Sequence, residues 1–486
     1  MNTRSLSAEP QAVRDLFWPG KAPPAEEKFS SPFSAHYALP VPADARRTLA
    51  AAWLWLALGA LLASGVFAIL LVLSRTPYFK DVFPLVDFFR VALVVHVDLS
   101  VLVWFAACAG LLWTLNGAPR LLWLGWAGFG AAAAGTAAMS AAPFLDFSVP
   151  LMSNYIPVLD GALFLRGLVV FALGAGAVVL RALIVAPRIG TRLDGPAALR
   201  FGLNAAAVAA AVALLAFAWS YAALPTGIER KGYFEVLFWG GGHVLQFVWT
   251  LLMFVAWLWL AEAIGARNPL SPRIAVLLFG IALASVFATP LIYLAYDVVS
   301  VQHYRMQTWL MRVGGGLAIV PFAAATAFSM LGSRVRDEAD RPLRAALLWS
   351  LLLFGAGGLI GVAIQGSNVK IPAHYHGSIV GVTLALMGLV YHLLPQMDCA
   401  RPQGRLARLQ PALYGGGQLM HVAGLVWSGG YGVQRKVAGA EQVLHGAKQI
   451  AAMGLMGLGG LLAVAGGMLF LVVVLRSAWT SSTSRS

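Results

Sequence analysis

At 486 residues, 59% hydrophobic and 11% charged, with a mean hydropathy of +0.77, the chain lies far outside the composition of soluble domains. A net charge of +14 would suit nucleic acid, but the basic residues fall in short connections between apolar runs, and no soluble domain is left to carry a binding face. The composition therefore excludes a nucleic-acid partner and implies lipid. Two cysteines, Cys108 within an apolar run and Cys399 in a short loop, imply no disulfide framework, and there is no thioether haem-attachment motif.

Residues 1–45 form a polar, Pro-rich tail without the apolar core or cleavage site of a signal peptide. Residues 46–478 hold twelve apolar runs, roughly 49–73, 86–114, 121–143, 157–181, 199–224, 235–262, 272–297, 307–333, 341–366, 373–396, 408–430 and 447–476, each long enough to cross about 30 Å of hydrocarbon. Residues 479–486 are a second polar tail. The expected fold is an all-α membrane protein, a twelve-helix transmembrane bundle.

With the N-terminus inside, Arg120, Arg181, Arg188, Arg192, Arg200, Arg267, Arg273, Arg334, Arg336, Arg341, Arg344, Arg401, Arg405 and Arg408 fall on the inner side, and fewer basic residues on the outer. This bias predicts both termini in the cytoplasm, and the expected location is a bacterial inner membrane.

The second run carries His96 and Asp98, side chains costly in lipid and so expected to face the bundle interior. Runs three to five are rich in Ala, Gly and Leu, suited to close helix contact and silent about chemistry. The sixth opens Tyr233-Phe234-Glu235 and continues through Gly240-Gly241-Gly242 to His243; the glycines suit either close packing or room for a flat macrocycle. The seventh ends near Tyr296, and Gln302-His303-Tyr304 follows. The tenth begins at His374-Tyr375-His376, a pair about 200° apart around a helix of 3.6 residues per turn. One helix thus presents an imidazole on each flank.

Five of the nine histidines, His96, His243, His303, His374 and His376, come from four runs that this topology brings to the outer half of the membrane. An interhelical hydrogen bond accounts for any one of them, but five converging imidazoles point to haem iron or copper.

These residues resemble the catalytic subunit of the heme-copper oxidase superfamily (cytochrome c oxidase subunit I-like) over almost the whole chain. The resemblance is carried by His96, LFWGGGH ending at His243, QHY at 302–304, AHYH at 373–376 followed by YHLLP, and LMHVAGL followed by GVQRK at 432–436. It implies two haems, with His96 and His376 as axial ligands of a low-spin haem and His374 as ligand of the high-spin haem. It also implies copper, the metal called CuB, on His243 and His303. Arg435 and Lys436 resemble the basic pair that binds haem propionates.

The sequence departs from that pattern in two places. Gln302 stands where the superfamily has a histidine, so an amide oxygen replaces an imidazole among the copper ligands, and a two-histidine copper, another metal or no metal are all open. Phe247 stands where many oxidases have tyrosine; Tyr296, seven residues before His303, is similar to the tyrosine placement of the cbb(3)-type oxidases and is the expected catalytic hydrogen donor.

The resemblance implies a terminal oxidase that reduces O2, with proton uptake and an electron-donating subunit carrying CuA or a c-type haem. The alternative is nitric oxide reduction at a modified binuclear centre. A twelve-span transporter is a third reading, for which the chain offers no repeated six-span half.

Overall fold

The computed structural model describes residues 36–483 apart from 77, 79–85, 147, 267, 332, 334–336, 366–367, 438–441 and 445. Most of the N-terminal tail, the last three residues, and Arg267, Arg334 and Arg336 of the charge count thus lie outside the described residues.

The described chain is a bundle of long helices: α1 (Ala45–Arg75), α2 (Val86–Val97, continued by a π-helical stretch Asp98–Val103 and by Trp104–Asn116), α3 (Leu122–Leu145), α4 (Ala162–Ile184), α5 (Gly195–Ala223) and α6 (Arg230–Ala263). Then come α7 (Pro272–Val286 and Ala288–Ala295), α8 (Val301–Leu310, a π-helical Met311–Gly315, and Gly316–Leu331), α9 (Arg341–Val362), α10 (Lys370–Leu393), α11 (Gly404–Gly429) and α12 (Ala447–Thr483). Each apolar run of the sequence coincides with one of these. Ten are long and apolar enough to cross a membrane; α3 and α11, of 24 and 26 residues, fall outside that set. Residues 479–483, expected as part of a polar tail, continue α12.

Local chemistry sets several of the helix ends. Asp44, Asp194 and Ser271 each accept a hydrogen bond from an N–H in the first turn that follows, and Pro196 and Pro272 stand in first turns, where no N–H is needed. Ser300 caps α8, its Oγ accepting from His303 N at 3.1 Å, so the cap that starts the helix also orients the histidine. The break in α7 at Phe287 follows from Pro290, whose ring excludes the carbonyl of Val286 four residues back.

Burial is uneven. In α6 and α10 83% of the apolar window is buried, against 28–56% in the other eight spans, so these two helices form the bundle's centre. The sequence of α6 explains its share: the run from Leu251 to Ala261 is apolar on every face, which suits a helix surrounded by others. The helices that carry His243 and the His374–His376 pair are therefore the two most enclosed.

The only strands among the described residues are β1 (Val149–Leu151) and β2 (Val158–Asp160), an antiparallel hairpin between α3 and α4 in register Val149 with Asp160 and Leu151 with Val158. Small residues let other helices meet backbone to backbone. A Cβ at Gly424 of α11 would collide with the main chain of Met456 in α12, whereas nothing approaches Gly454. Gly424→Val is expected to lower stability by about 1–3 kcal/mol, read as a fall in thermal midpoint in detergent, with Gly454→Ala leaving the midpoint unchanged.

Candidate functional site

Two groups of histidines form, on two flanks of α10. On one flank, the His376 ring packs edge-on against His421 of α11, centroids 4.7 Å apart, and His96, His376, His421 and Arg75 lie close enough to feel one another's charge. His96 places Nδ1 3.0 Å from the carbonyl of Ser64, with the Ser64 hydroxyl at 2.9 Å; His421 places Nδ1 2.9 Å from the carbonyl of Met456. On the other flank, His374 places Nδ1 2.7 Å from the carbonyl of Gly357 in α9. The opposed directions expected of an i, i+2 pair are thus present: His374 faces α9 and His376 faces α11.

A carbonyl can only accept, so each of these Nδ1 atoms carries the proton and the lone pair stands on Nε2. That is the tautomer a haem iron needs, held by the kind of outer hydrogen bond that orients metal-bound imidazoles. His96, His374 and His376 are each only half-buried, which leaves their rings open to a bound group. Haem therefore fits the residues present.

The region around His243 is built differently. His243 places Nδ1 2.8 Å from the carbonyl of Trp239 and Nε2 2.9 Å from the hydroxyl of Tyr155. Tyr155 comes from the tip of the β1–β2 hairpin and packs against His243 and Trp239 with centroids at 4.8 and 5.7 Å. His303 lies near enough to sense a charge on His243, and its ring meets Tyr293 edge-on at 4.6 Å. Tyr293 is itself fixed by Ser220 Oγ at 2.7 Å and the carbonyl of Ala216 at 3.1 Å.

The three glycines before His243 each seat an aromatic ring. A Cβ at Gly240 would strike Tyr293, at Gly241 Phe217, and at Gly242 Tyr155. Of the two roles the sequence leaves open for this run, close packing is the one seen.

Copper does not fit as it fits the superfamily. Gln302 is exposed, His243 has both nitrogens engaged, and only His303 keeps a buried Nδ1 without a partner, one turn from the equally unpartnered buried amide of Gln307. No three His, Cys, Asp or Glu side chains gather as a metal would require among the described residues.

Tyr296 caps the second segment of α7 with its side chain exposed, at 37%, and meets His303 through its backbone, whereas Tyr293, at 6%, is the α7 tyrosine whose ring packs on His303. Arg435 lies near Tyr375, as does Arg75. Lys436 donates to the carbonyl of Met152 at 2.6 Å, and burial, then Arg435, push its ammonium down to about 8 while Glu235 pulls the other way.

Glu235 bonds the hairpin with both oxygens, accepting from Asn154 N at 2.9 Å and from Asn154 Nδ2 at 2.6 Å. Burial, then the Glu235 charge, raises the pKa of the Tyr155 phenol, so it stays protonated.

Sequence reasoning missed Tyr155, His421 and Arg75. Nothing local marks Tyr155; His421 sits in the LMHVAGL motif, and a histidine at membrane depth was the available signal.

Glu235→Ala removes a charge-assisted pair of bonds worth about 1.5–3 kcal/mol each. The expected outcome is faster hydrogen exchange confined to peptides covering 152–156, with the helical peptides unchanged.

The family model described as Cytochrome C and Quinol oxidase polypeptide I matches residues 48–468. An uncharacterized protein of Rickettsia prowazekii (strain Madrid E) is 28% identical over 494 residues, covering 88% of this chain and 95% of its own. One of Aquifex aeolicus (strain VF5) is 27% identical over 361 residues, covering 74% and 88%. Among solved structures, a heme-copper terminal oxidase dimer determined by cryo-EM superposes with a TM-score of 0.66 at 16% identity, covering 90% of this chain and 84% of that one. At that identity the likeness speaks for the fold.

Proposed function

Because the chain belongs to the cytochrome c and quinol oxidase polypeptide I family, we propose that it is a haem-dependent terminal oxidase subunit in which His96 and His376 hold a low-spin haem and His374 a high-spin haem. One observation carries this reading. His374 and His376 diverge from α10 toward different neighbours, and both His96 and His374 have Nδ1 committed to a carbonyl and Nε2 unclaimed. When bound, haem would supply one-electron transfer at the site held by His96 and His376 and a place for a diatomic ligand at the site held by His374.

The chain's own residues do the rest. Ser64 and Gly357 fix the ring planes of His96 and His374, so each lone pair keeps one direction. The charges of Arg75 and Arg435, gathered by Tyr375 at the start of α10, suit propionate groups, as does Lys436 by its place in the sequence. Tyr296, by its spacing from His303, is the proposed hydrogen donor to O2. Twelve spans, both termini in the cytoplasm and a bacterial inner membrane complete the reading, with electrons arriving from a separate subunit carrying CuA or a c-type haem.

Nitric oxide reduction is the second reading, favoured by the incomplete copper donor set around His243 and His303. The two readings part in turnover with an artificial electron donor. For an oxidase, O2 is consumed faster than NO, and Tyr296→Phe slows O2 consumption while sparing NO.

The purified chain is expected to show a Soret band with a six-coordinate low-spin component. His96→Ala or His376→Ala should abolish that component, and His374→Ala should abolish carbon monoxide binding while leaving it. A wild-type protein without a Soret band would sink the haem assignment.

A further inference from the structure

The sequence directs attention to Gln302 as the weak point of the copper site, yet the structure places the decisive feature at His243. A neutral imidazole has one lone pair. The Trp239 carbonyl, 2.8 Å from Nδ1, accepts and cannot donate, so that nitrogen carries the proton. The lone pair is then on Nε2, and the atom 2.9 Å from it is the Tyr155 hydroxyl oxygen, whose hydrogen has this acceptor to point at. The electrons a metal would take from His243 are already engaged by a phenol O–H.

This phenol is held in place by a purpose-built support. Tyr155 adopts a left-handed backbone conformation, φ +67°, which costs a non-glycine residue about 1–2 kcal/mol and persists only where its surroundings enforce it. Enforcement comes from four directions. Asn154, the preceding residue, is bound through main chain and side chain by Glu235, and the Ser153 hydroxyl donates to the Ile156 carbonyl at 2.6 Å. Lys436 reaches from the α11–α12 connection to the Met152 carbonyl, and Gly242 leaves open the volume that the tyrosine ring fills. A side chain packed by chance at a loop tip would not require a carboxylate and a missing Cβ from α6 and an ammonium from the α11–α12 connection.

We propose that Tyr155 is a positioning residue that occupies the metal face of His243, so that the place where the superfamily binds copper is here a hydrogen-bonded tyrosine–histidine pair and the protein carries haem iron without stoichiometric copper. The inference rests on the haem reading above for what lies nearby, but its test is separable from it. Tyr155→Phe keeps the ring that fills the Gly242 cradle and removes only the hydroxyl, which frees Nε2 of His243 beside the unpartnered Nδ1 of His303.

The measurement is metal content, followed by cuprous ion titration of the full chain in detergent, on wild type, His243→Ala, Tyr155→Phe and the double variant Tyr155→Phe/His243→Ala. Retention of the Soret band reports folding and the haem reading independently. Wild type purified from copper-replete cells is expected to contain iron and only trace copper. Tyr155→Phe is expected to bind the added ion at least about tenfold more tightly, roughly the worth of the hydrogen bond removed, and the double variant to lose that gain. One copper per wild-type chain that disappears in His243→Ala would overturn the proposal, as would equal affinity in wild type and Tyr155→Phe.

Discussion

A neutral imidazole placed between apolar helices has one N–H that must find an acceptor, and in this protein it is repeatedly given to the main chain. His96, His243, His374 and His421 direct Nδ1 to the carbonyls of Ser64, Trp239, Gly357 and Met456. The cost of an unpaired donor at that depth makes this arrangement close to obligatory. Its by-product is chemical: every ring so held presents Nε2, in a fixed direction, to whatever lies on the other side. The same constraint that lets a histidine sit in the bundle therefore prepares it as a ligand.

What each lone pair then meets separates one site from another. Around α10 the neighbours are the imidazoles of His96 and His421 and open ring faces, an environment suited to flat macrocycles on two flanks. At α6 the partner is Tyr155, delivered by a hairpin that is anchored to α6 itself through Glu235 and to the α11–α12 connection through Lys436. The glycine run of α6 receives three rings along one stretch of helix, so one of the two most enclosed helices of the bundle is closely fitted to side chains from elsewhere.

Much of this is written locally and some is not. Helix positions follow from hydropathy, and the opposed directions of His374 and His376 follow from the helical repeat, because both depend on residues a few positions apart. The exposure of Gln302 and the burial of His303 depend on the Ser300 cap, a signal equally local but readable only once the start of α8 is known. Tyr155 and Glu235 belong to another category. Their partners lie 88 and 81 residues away, so no periodicity or motif connects them. His421 is intermediate: its presence at membrane depth is plain, but which face of α11 meets α10 is decided by packing against α12, where Gly424 and Gly459 bring the two backbones together.

The π-helical stretch Asp98–Val103 begins two residues after His96, and a second one, Met311–Gly315, lies further along α8 from His303. A π turn absorbs one extra residue within a helix while the α-helical hydrogen bonding resumes on both sides. In α2 this separates the end that carries the histidine from the end that packs Trp104 and Phe105 into the core. Each end of such a helix answers to its own neighbours, so insertions and deletions accumulated within the bulge need not disturb either one. The placement of the histidine and the packing of the bundle can then diverge at different rates along a single helix.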